Sequence, residues 1–231
     1  MKGKIIVIEG TDGSGKKTQT ELLYNHLLEE GKKVVKHSFP SYNLPCSGGI
    51  KMYLGGELGN TADCVSSKQA SILFASDRVA TYLDENLGLK KHYEEGGIII
   101  FDRYVQSNMI HQACKIQNKK EIKRYLKWTD KLEFDDLSLP RADLVLFLDM
   151  PPQVSKQLAD SREKLKAGTK QDIHEMDYNY LLRAYDTAKY VSKKFNWKTV
   201  SCLNNETIKS REEISNEIFK IVSDFLNKKT D

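Results

Sequence analysis

Cysteine is scarce in this chain, with four in 231 residues, at Cys46, Cys64, Cys114 and Cys202. None of them pairs at C-x-x-C spacing, which argues against zinc, and thiols scattered this way read as reduced side chains of a cytoplasmic protein. No apolar run approaches the length that spans a bilayer. The opening Met1-Lys2-Gly3-Lys4 leads straight into a short strand pattern, so no secretory leader is expected. Charge of one sign is not in excess: 36 Lys and Arg against 32 Asp and Glu leave +4. That is too little for a nucleic-acid module, and no basic block with interleaved aromatics occurs. The histidines, His26, His37, His92, His111 and His174, are spread out and form no Ser-His-Asp or His–carboxylate pattern. No internal repeat, low-complexity segment or linker divides the chain. With 39% hydrophobic and 29% charged residues, it reads as one globular domain, 1–231, able to bury a real core.

Short β-branched runs are present, and amphipathic stretches alternate with them. The runs cover Lys4 to Glu9, Lys33 to Phe39, Gly97 to Asp102, Asp143 to Asp149 and Trp197 to Leu203. Runs of this length, mostly free of charge, suit strands buried on both faces of a parallel sheet. Between them, Leu23 and Leu27 share a helix face that Gly31 can end. A longer helix is expected from about Ser67 toward Tyr93, stopped by Gly96-Gly97. Leu181, Tyr185 and Ala188, and later Ile214, Ile218, Ile221 and Phe225, repeat at helical spacing. The alternation predicts a three-layer α/β fold, a five-stranded parallel sheet flanked by helices. The polar, poorly periodic stretch Asp160 to Asp177 reads as a solvated loop or a mobile lid over about residues 160–177.

Gly10-Thr11-Asp12-Gly13-Ser14-Gly15-Lys16 lies between the first strand and the first helix, the context a phosphate-binding loop requires. Its glycines let backbone N–H groups converge on phosphate oxygens, and the helix N-terminus adds its dipole. Lys16 supplies a point charge to the transferable phosphate. Lys17 stands where such loops usually offer a Mg²⁺-binding hydroxyl, and an ammonium cannot ligate the ion. Thr18 is turned about 100° round the helix from it. The ion must then be held through water, by nucleotide phosphates, or by a carboxylate such as Asp12.

Three further motifs accompany the loop: Ser38 to Tyr42 (SFPSY), Leu73 to Arg78 (LFASDR) and Phe101 to Asn108 (FDRYVQSN). Taken singly, Phe74 suits a core, Arg78 a surface cation–π pair and Asp102-Arg103 a structural ion pair. Their joint spacing after a phosphate loop favours a site. Together the motifs resemble thymidylate kinase, from Ile5 to about Leu203, and the resemblance implies a P-loop NTPase fold with a lid. It implies transfer of phosphate from ATP to dTMP with Mg²⁺, in a cytoplasmic homodimer that needs neither nucleic acid nor membrane. ATP would lie on Gly10 to Thr18, Lys17 included, and the loop after the fifth strand would border its adenine. The dTMP site would draw on Phe39, Pro40 and Tyr42 near the acceptor phosphate, and on Phe74 stacked on thymine. Arg78 would meet a thymine carbonyl and Asn108 the base edge. Asp102 would orient the sugar and the metal's waters, and His111 stands where the family often has a tyrosine facing the ribose 2′ position. Lys16, Arg103, Asp12 and the lid's Arg162 would be catalytic, with Asp12 and Glu175 near the metal. The acceptor-phosphate loop lacks the family's arginine, for which Tyr42 and Lys51 can compensate.

An acceptor phosphate with a second pKa of about 6 is dianionic at neutral pH, so no general base is needed. Two other readings stay open: a kinase of the same fold for another nucleoside monophosphate or a deoxynucleoside, and a non-catalytic ATP sensor. If Lys17 takes no part in metal binding, Lys17→Thr leaves turnover within about one order of magnitude of the parent. Steady-state kinetics check this, and total loss would place Lys17 on the nucleotide.

Overall fold

Five short strands pair in parallel; the three central ones are apolar and buried on both faces, whereas the edge strands are more polar and more exposed. The computed structural model describes residues 2–156 and 177–228. The strands are β1 (Lys4–Glu9), β2 (Val34–Ser38), β3 (Ile98–Asp102), β4 (Leu144–Asp149) and β5 (Lys198–Ser201), each within a residue or two of its expected bounds. They stand in the order β2-β3-β1-β4-β5. Ile8 of β1 is level with Asp102 on one side and Leu146 on the other. Chain direction across the sheet therefore reverses at β1, and a crevice opens beyond the carboxyl ends of its neighbours, where α/β sheets bind ligands.

Side chains alternate along β1. Ile6 and Ile8 pack with Leu23 and Leu27 of α1 (Lys16–Glu29) and with Ile214, Ile218 and Val222 of the last helix, Arg211–Leu226. Ile5 and Val7 face the other way, into a cluster with Phe101, Tyr104, Val105, Met109, Tyr125 and Val191. That second layer comprises α2 (Gly48–Leu54), α3 (Ser67–Leu83), α4 (Leu89–Glu94), α5 (Val105–His111), α6 (Lys119–Asp130) and α7 (Tyr178–Lys194); the last helix is α8. Capping boxes start two of them: Ser66 with Gln69 at α3, and Ser210 with Glu213 at α8. Among the described residues no helix is long and apolar enough to cross a membrane.

The helix expected from Ser67 toward Tyr93 is two helices. Asp84 accepts the N–H groups of Asn86 at 2.8 Å and Leu87 at 3.2 Å, an Asx turn that breaks the run. Gly88, with φ 64°, then turns the chain into α4. Residues 131–136 continue α6 as a π-helical segment, Lys131–Asp136, that no periodicity announced. The lid expected at 160–177 lies outside the described residues, Asp177 excepted. Asp177 accepts the Tyr180 N–H at 3.0 Å and caps α7. A small hairpin, Leu203–Asn204 with Thr207–Ile208, follows β5.

Leu146 is fully buried between the sheet and α8. Leu146→Ala should cost about 3 kcal/mol of stability, read as a lowered midpoint in urea unfolding at unchanged slope.

Candidate active site

The loop after β1 is built to hold an anion. Gly13 and Gly15 take left-handed φ values of 78° and 89°, and a Cβ on Gly10 would come within 2.5 Å of Ser14 Oγ. Glycine at these points lets the backbone fold over the start of α1. Lys16 is buried, and its ammonium donates to Thr11 O at 2.8 Å. Burial, and next the charge of Arg103, push its pKa down to about 8, against the pull of Asp12, Asp102 and Glu9. The hydroxyls of Thr11 and Ser14 are buried without a hydrogen-bond partner, polar groups suited to an incoming phosphate. Lys17 is exposed on the first turn of α1.

A second element reaches the loop from β3. Arg103 sits at φ 67°, a left-handed conformation that costs a non-glycine residue about 1 kcal/mol or more. Four contacts hold it there. Its N–H donates to Ile8 O at 3.1 Å. The next N–H, of Tyr104, donates to Glu9 Oε1 at 3.0 Å. The guanidinium forms an ion pair with Asp12 through Nη2 and donates from Nη1 to His111 Nε2 at 3.0 Å. Burial works against the charge of Arg103, but Asp12, Glu9, Asp102 and Tyr42 outweigh it and push its pKa up.

The Arg103 contact also settles the histidine tautomer. A guanidinium only donates, so His111 Nε2 accepts and its Nδ1 carries the proton toward Tyr180 Oη, 3.2 Å away. Tyr180 in turn donates to His111 O at 3.1 Å.

Beyond Arg103 a cavity of about 250 Å³ opens. Asp12, Phe39, Pro40, Tyr42, Phe74, Arg78, Arg103, Asn108 and His111 line it, joined by Ser107 and Gln112. Phe74 is half-buried and meets Tyr53 edge-on at 6.4 Å. Arg78 is no surface residue: it is 2% exposed and forks onto the fully buried Glu133, Nε to Oε2 at 2.5 Å and Nη2 to Oε1 at 2.6 Å. A charge this deep requires such a partner. Under the cavity's other rim, the buried Asp77 accepts the Ser41 N–H at 3.0 Å and the Cys46 S–H at 3.2 Å, pinning the turn that carries the cis Phe39–Pro40 bond. Burial lowers the pKa of the adjoining His37, against Asp77, and its Nε2 lies 2.8 Å from Ser41 Oγ.

Two expected residues stand apart from this wall. Asp102 is buried at the end of β3 and does not line the cavity; it forms no ion pair with Arg103, which turns to Asp12 instead. Lys51 is exposed on α2, away from the lining. Arg162 and Glu175, with Lys164, Lys166, Lys170 and Asp172 of the lid, lie outside the described residues. Among the described residues no three His, Cys, Asp or Glu side chains cluster as a metal site. Asp12 is a hard oxygen donor at the loop. It fits a Mg²⁺ ion that keeps most of its shell as water and nucleotide phosphate.

Sequence reasoning missed Glu9, Glu133, Tyr180 and Asp77 as parts of the site. Glu9 carried a signal: a carboxylate closing an apolar strand beside the phosphate loop. Its carboxylate is fully buried, and burial raises its pKa, opposed by Arg103, the Tyr104 N–H, Lys16 and Ser107. Ser107 Oγ lies 2.9 Å and 3.0 Å from its two oxygens. Glu133 carried none, since its neighbours follow no helical period.

Comparison with known proteins identifies the family and the fold. The family model described as thymidylate kinase matches residues 8–221. Thymidylate kinase of Mycobacterium tuberculosis (strain CDC 1551 / Oshkosh) is 30% identical over 75% of this chain and 78% of its own length. That of Caldicellulosiruptor saccharolyticus is 28% identical over 99% of this chain and 100% of its own. The solved structure of thymidylate kinase from Candida albicans superposes with a TM-score of 0.68 at 20% identity, covering 98% of this chain and 93% of that one, a likeness of fold.

The depressed pKa of Lys16 has a measurable consequence. Near pH 8 its amine is about half neutral in the free protein, and a polyphosphate bound beside it restores the charge. Nucleotide binding at about pH 8.5 therefore takes up roughly half a proton or more at this amine, and almost none at about pH 7. Calorimetry in buffers of different ionisation enthalpy reads the difference; equal uptake at both would place the lysine's titration elsewhere.

Proposed function

Because the chain belongs to the thymidylate kinase family, we propose that the cavity beyond Arg103 receives dTMP and the loop Gly10 to Thr18 receives ATP. The protein is a nucleoside monophosphate kinase that phosphorylates dTMP to dTDP, with ATP as co-substrate and a divalent metal, a step of nucleotide biosynthesis. The observation that carries the site assignment is the contact of Asp12, Arg103 and His111, where phosphate loop and cavity wall meet.

In this reading an acceptor phosphate oxygen attacks the γ-phosphorus, the bond to the β–γ bridging oxygen breaks, and ADP leaves. With the acceptor's second pKa at about 6, no base removes a proton. Catalysis then rests on positioning and on charge matched to the transition state. Lys16, already dehydrated, faces the donor phosphates. Arg103 stands at the junction and can bridge donor and acceptor once the anions compete for its Asp12 contact. Phe74 offers a face to the thymine ring, Arg78 and Asn108 its polar edge, and His111 the sugar; Phe39, Pro40 and Tyr42 border the acceptor phosphate. Asp102 acts from beneath, through its charge on Lys16 and Arg103. The metal is assigned as Mg²⁺, held by Asp12 and, by resemblance, Glu175; it would neutralise charge on the transferring phosphates. Arg162 is assigned as the lid cation. The reading extends to one kinase domain over 1–231, working as a cytoplasmic homodimer.

Chromatographic product analysis with ATP, Mg²⁺ and a panel of dTMP, dUMP, dCMP, dGMP, UMP and thymidine tests it. The expected result is dTDP well ahead of other products. Lys16→Ala and Arg103→Ala should each lower kcat/KM by about 10²–10³-fold or more; a near-normal rate in either removes that residue from the chemistry.

A further inference from the structure

The hydrogen-bonding polarity of the cavity's far wall is dictated from behind, by Glu133. Asn108 Nδ2 donates to Glu133 Oε1 at 2.8 Å and to Ser71 O at 3.3 Å. Both partners only accept, so the amide nitrogen must point at them and the orientation of the side chain is not free. Its carbonyl oxygen is left toward the cavity that Asn108 lines. The same carboxylate takes Arg78 through Nε and Nη2, leaving Nη1 as the third corner of the fork. Nη1 makes only a long contact, 3.4 Å to Tyr104 O, and Arg78 lines the cavity too. The wall thus offers one donor, from Arg78, beside one acceptor, from Asn108.

We infer that Glu133, which touches no substrate, is a positioning residue that sets base specificity by locking this donor–acceptor order. The inference rests on the placement of the nucleobase in this cavity. A 4-keto pyrimidine presents a carbonyl acceptor next to an N3–H donor and complements the wall at both points. A 4-amino pyrimidine presents the reverse, an amino donor next to an N3 acceptor. It sets donor against donor and acceptor against acceptor, leaving buried polar groups unpaired. Glu133 is well suited to the role because it is fully buried and accepts on both oxygens. An amide there could donate to Asn108 and leave only the longer contact to Ser71 O to oppose its turning over.

The test is Glu133→Gln, assayed beside the parent with dTMP and dCMP as competing acceptors. The substituted amide keeps one oxygen for Arg78, gives up the second acceptor of the fork, and turns its NH₂ to Asn108. The orientation of Asn108 is then held only by the longer contact to Ser71 O at 3.3 Å, and it can flip to present its own NH₂ to the base. The expected result is that the dTMP:dCMP ratio of kcat/KM narrows by about tenfold or more, with a rise for dCMP itself and unchanged ATP binding. An equal fall for both acceptors, or an unchanged ratio in folded protein, overturns the inference and leaves Glu133 a packing residue. If Glu133→Gln does not fold, as judged by thermal unfolding, Glu133→Asp serves. It keeps a negative charge for Arg78 but is one methylene too short to hold Asn108 as well. A narrowed ratio then supports the proposal and a parental ratio overturns it. Failure of the parent itself to phosphorylate dTMP would instead sink the placement of the base.

Discussion

A single buried carboxylate, Glu9, joins the two halves of the site. It closes β1 one residue before the phosphate loop begins, and it accepts from the backbone and side chain that start α5. Helix α5 carries Asn108 and His111 of the cavity wall, so this group helps to fix the distance between phosphate loop and cavity, together with the β1–β3 pairing and the Asp12–Arg103–His111 contacts. Burying a carboxylate is costly unless its oxygens are occupied and opposite charge is close. Here Tyr104 N–H and Ser107 Oγ occupy them, while Arg103 and Lys16 supply the charge. The same contact keeps Tyr104 in place after the left-handed turn at Arg103, and that turn aims the guanidinium back at the loop.

Charge at this site is therefore prearranged before any nucleotide arrives. Arg103 is held between Asp12 and His111, and His111 is held by Tyr180 on α7. Lys16 is held against its own loop. Groups fixed in advance need little reorganisation when negative charge builds between donor and acceptor. The strain at Arg103 is small against that gain, and four contacts from three different elements maintain it.

The acceptor side follows the same logic with fewer charges. Arg78 and Glu133 neutralise each other in a dry interior, and their fork leaves one corner for a ligand. Asp77 orders the opposite rim through a backbone N–H and a thiol. Neither carboxylate lines the cavity, yet each decides how the residues that do line it are presented.

Much of this was legible in the chain itself. The three central strands could be read because residues buried on both faces leave uninterrupted apolar runs, the two edge strands from shorter β-branched patches, and the phosphate loop because its backbone path demands glycine at fixed steps. Phe39, Phe74, Arg78, Arg103 and Asn108 could be read as a group through the resemblance of their three motifs to a known family, with their joint spacing after the phosphate loop in support; the structure sets all five around one cavity. What the sequence by itself determined, then, was the layered α/β fold and the set of groups that converge at its carboxyl edge. Local periodicity and local backbone chemistry carry that information. Tertiary structure alone decided which partner each group has. Arg103 pairs with Asp12, 91 positions away, and not with its neighbour Asp102. Arg78 meets Glu133 across 55 positions, and His111 meets Tyr180 across 69. Pairings of that span depend on how helices pack across the sheet, and no local pattern encodes them.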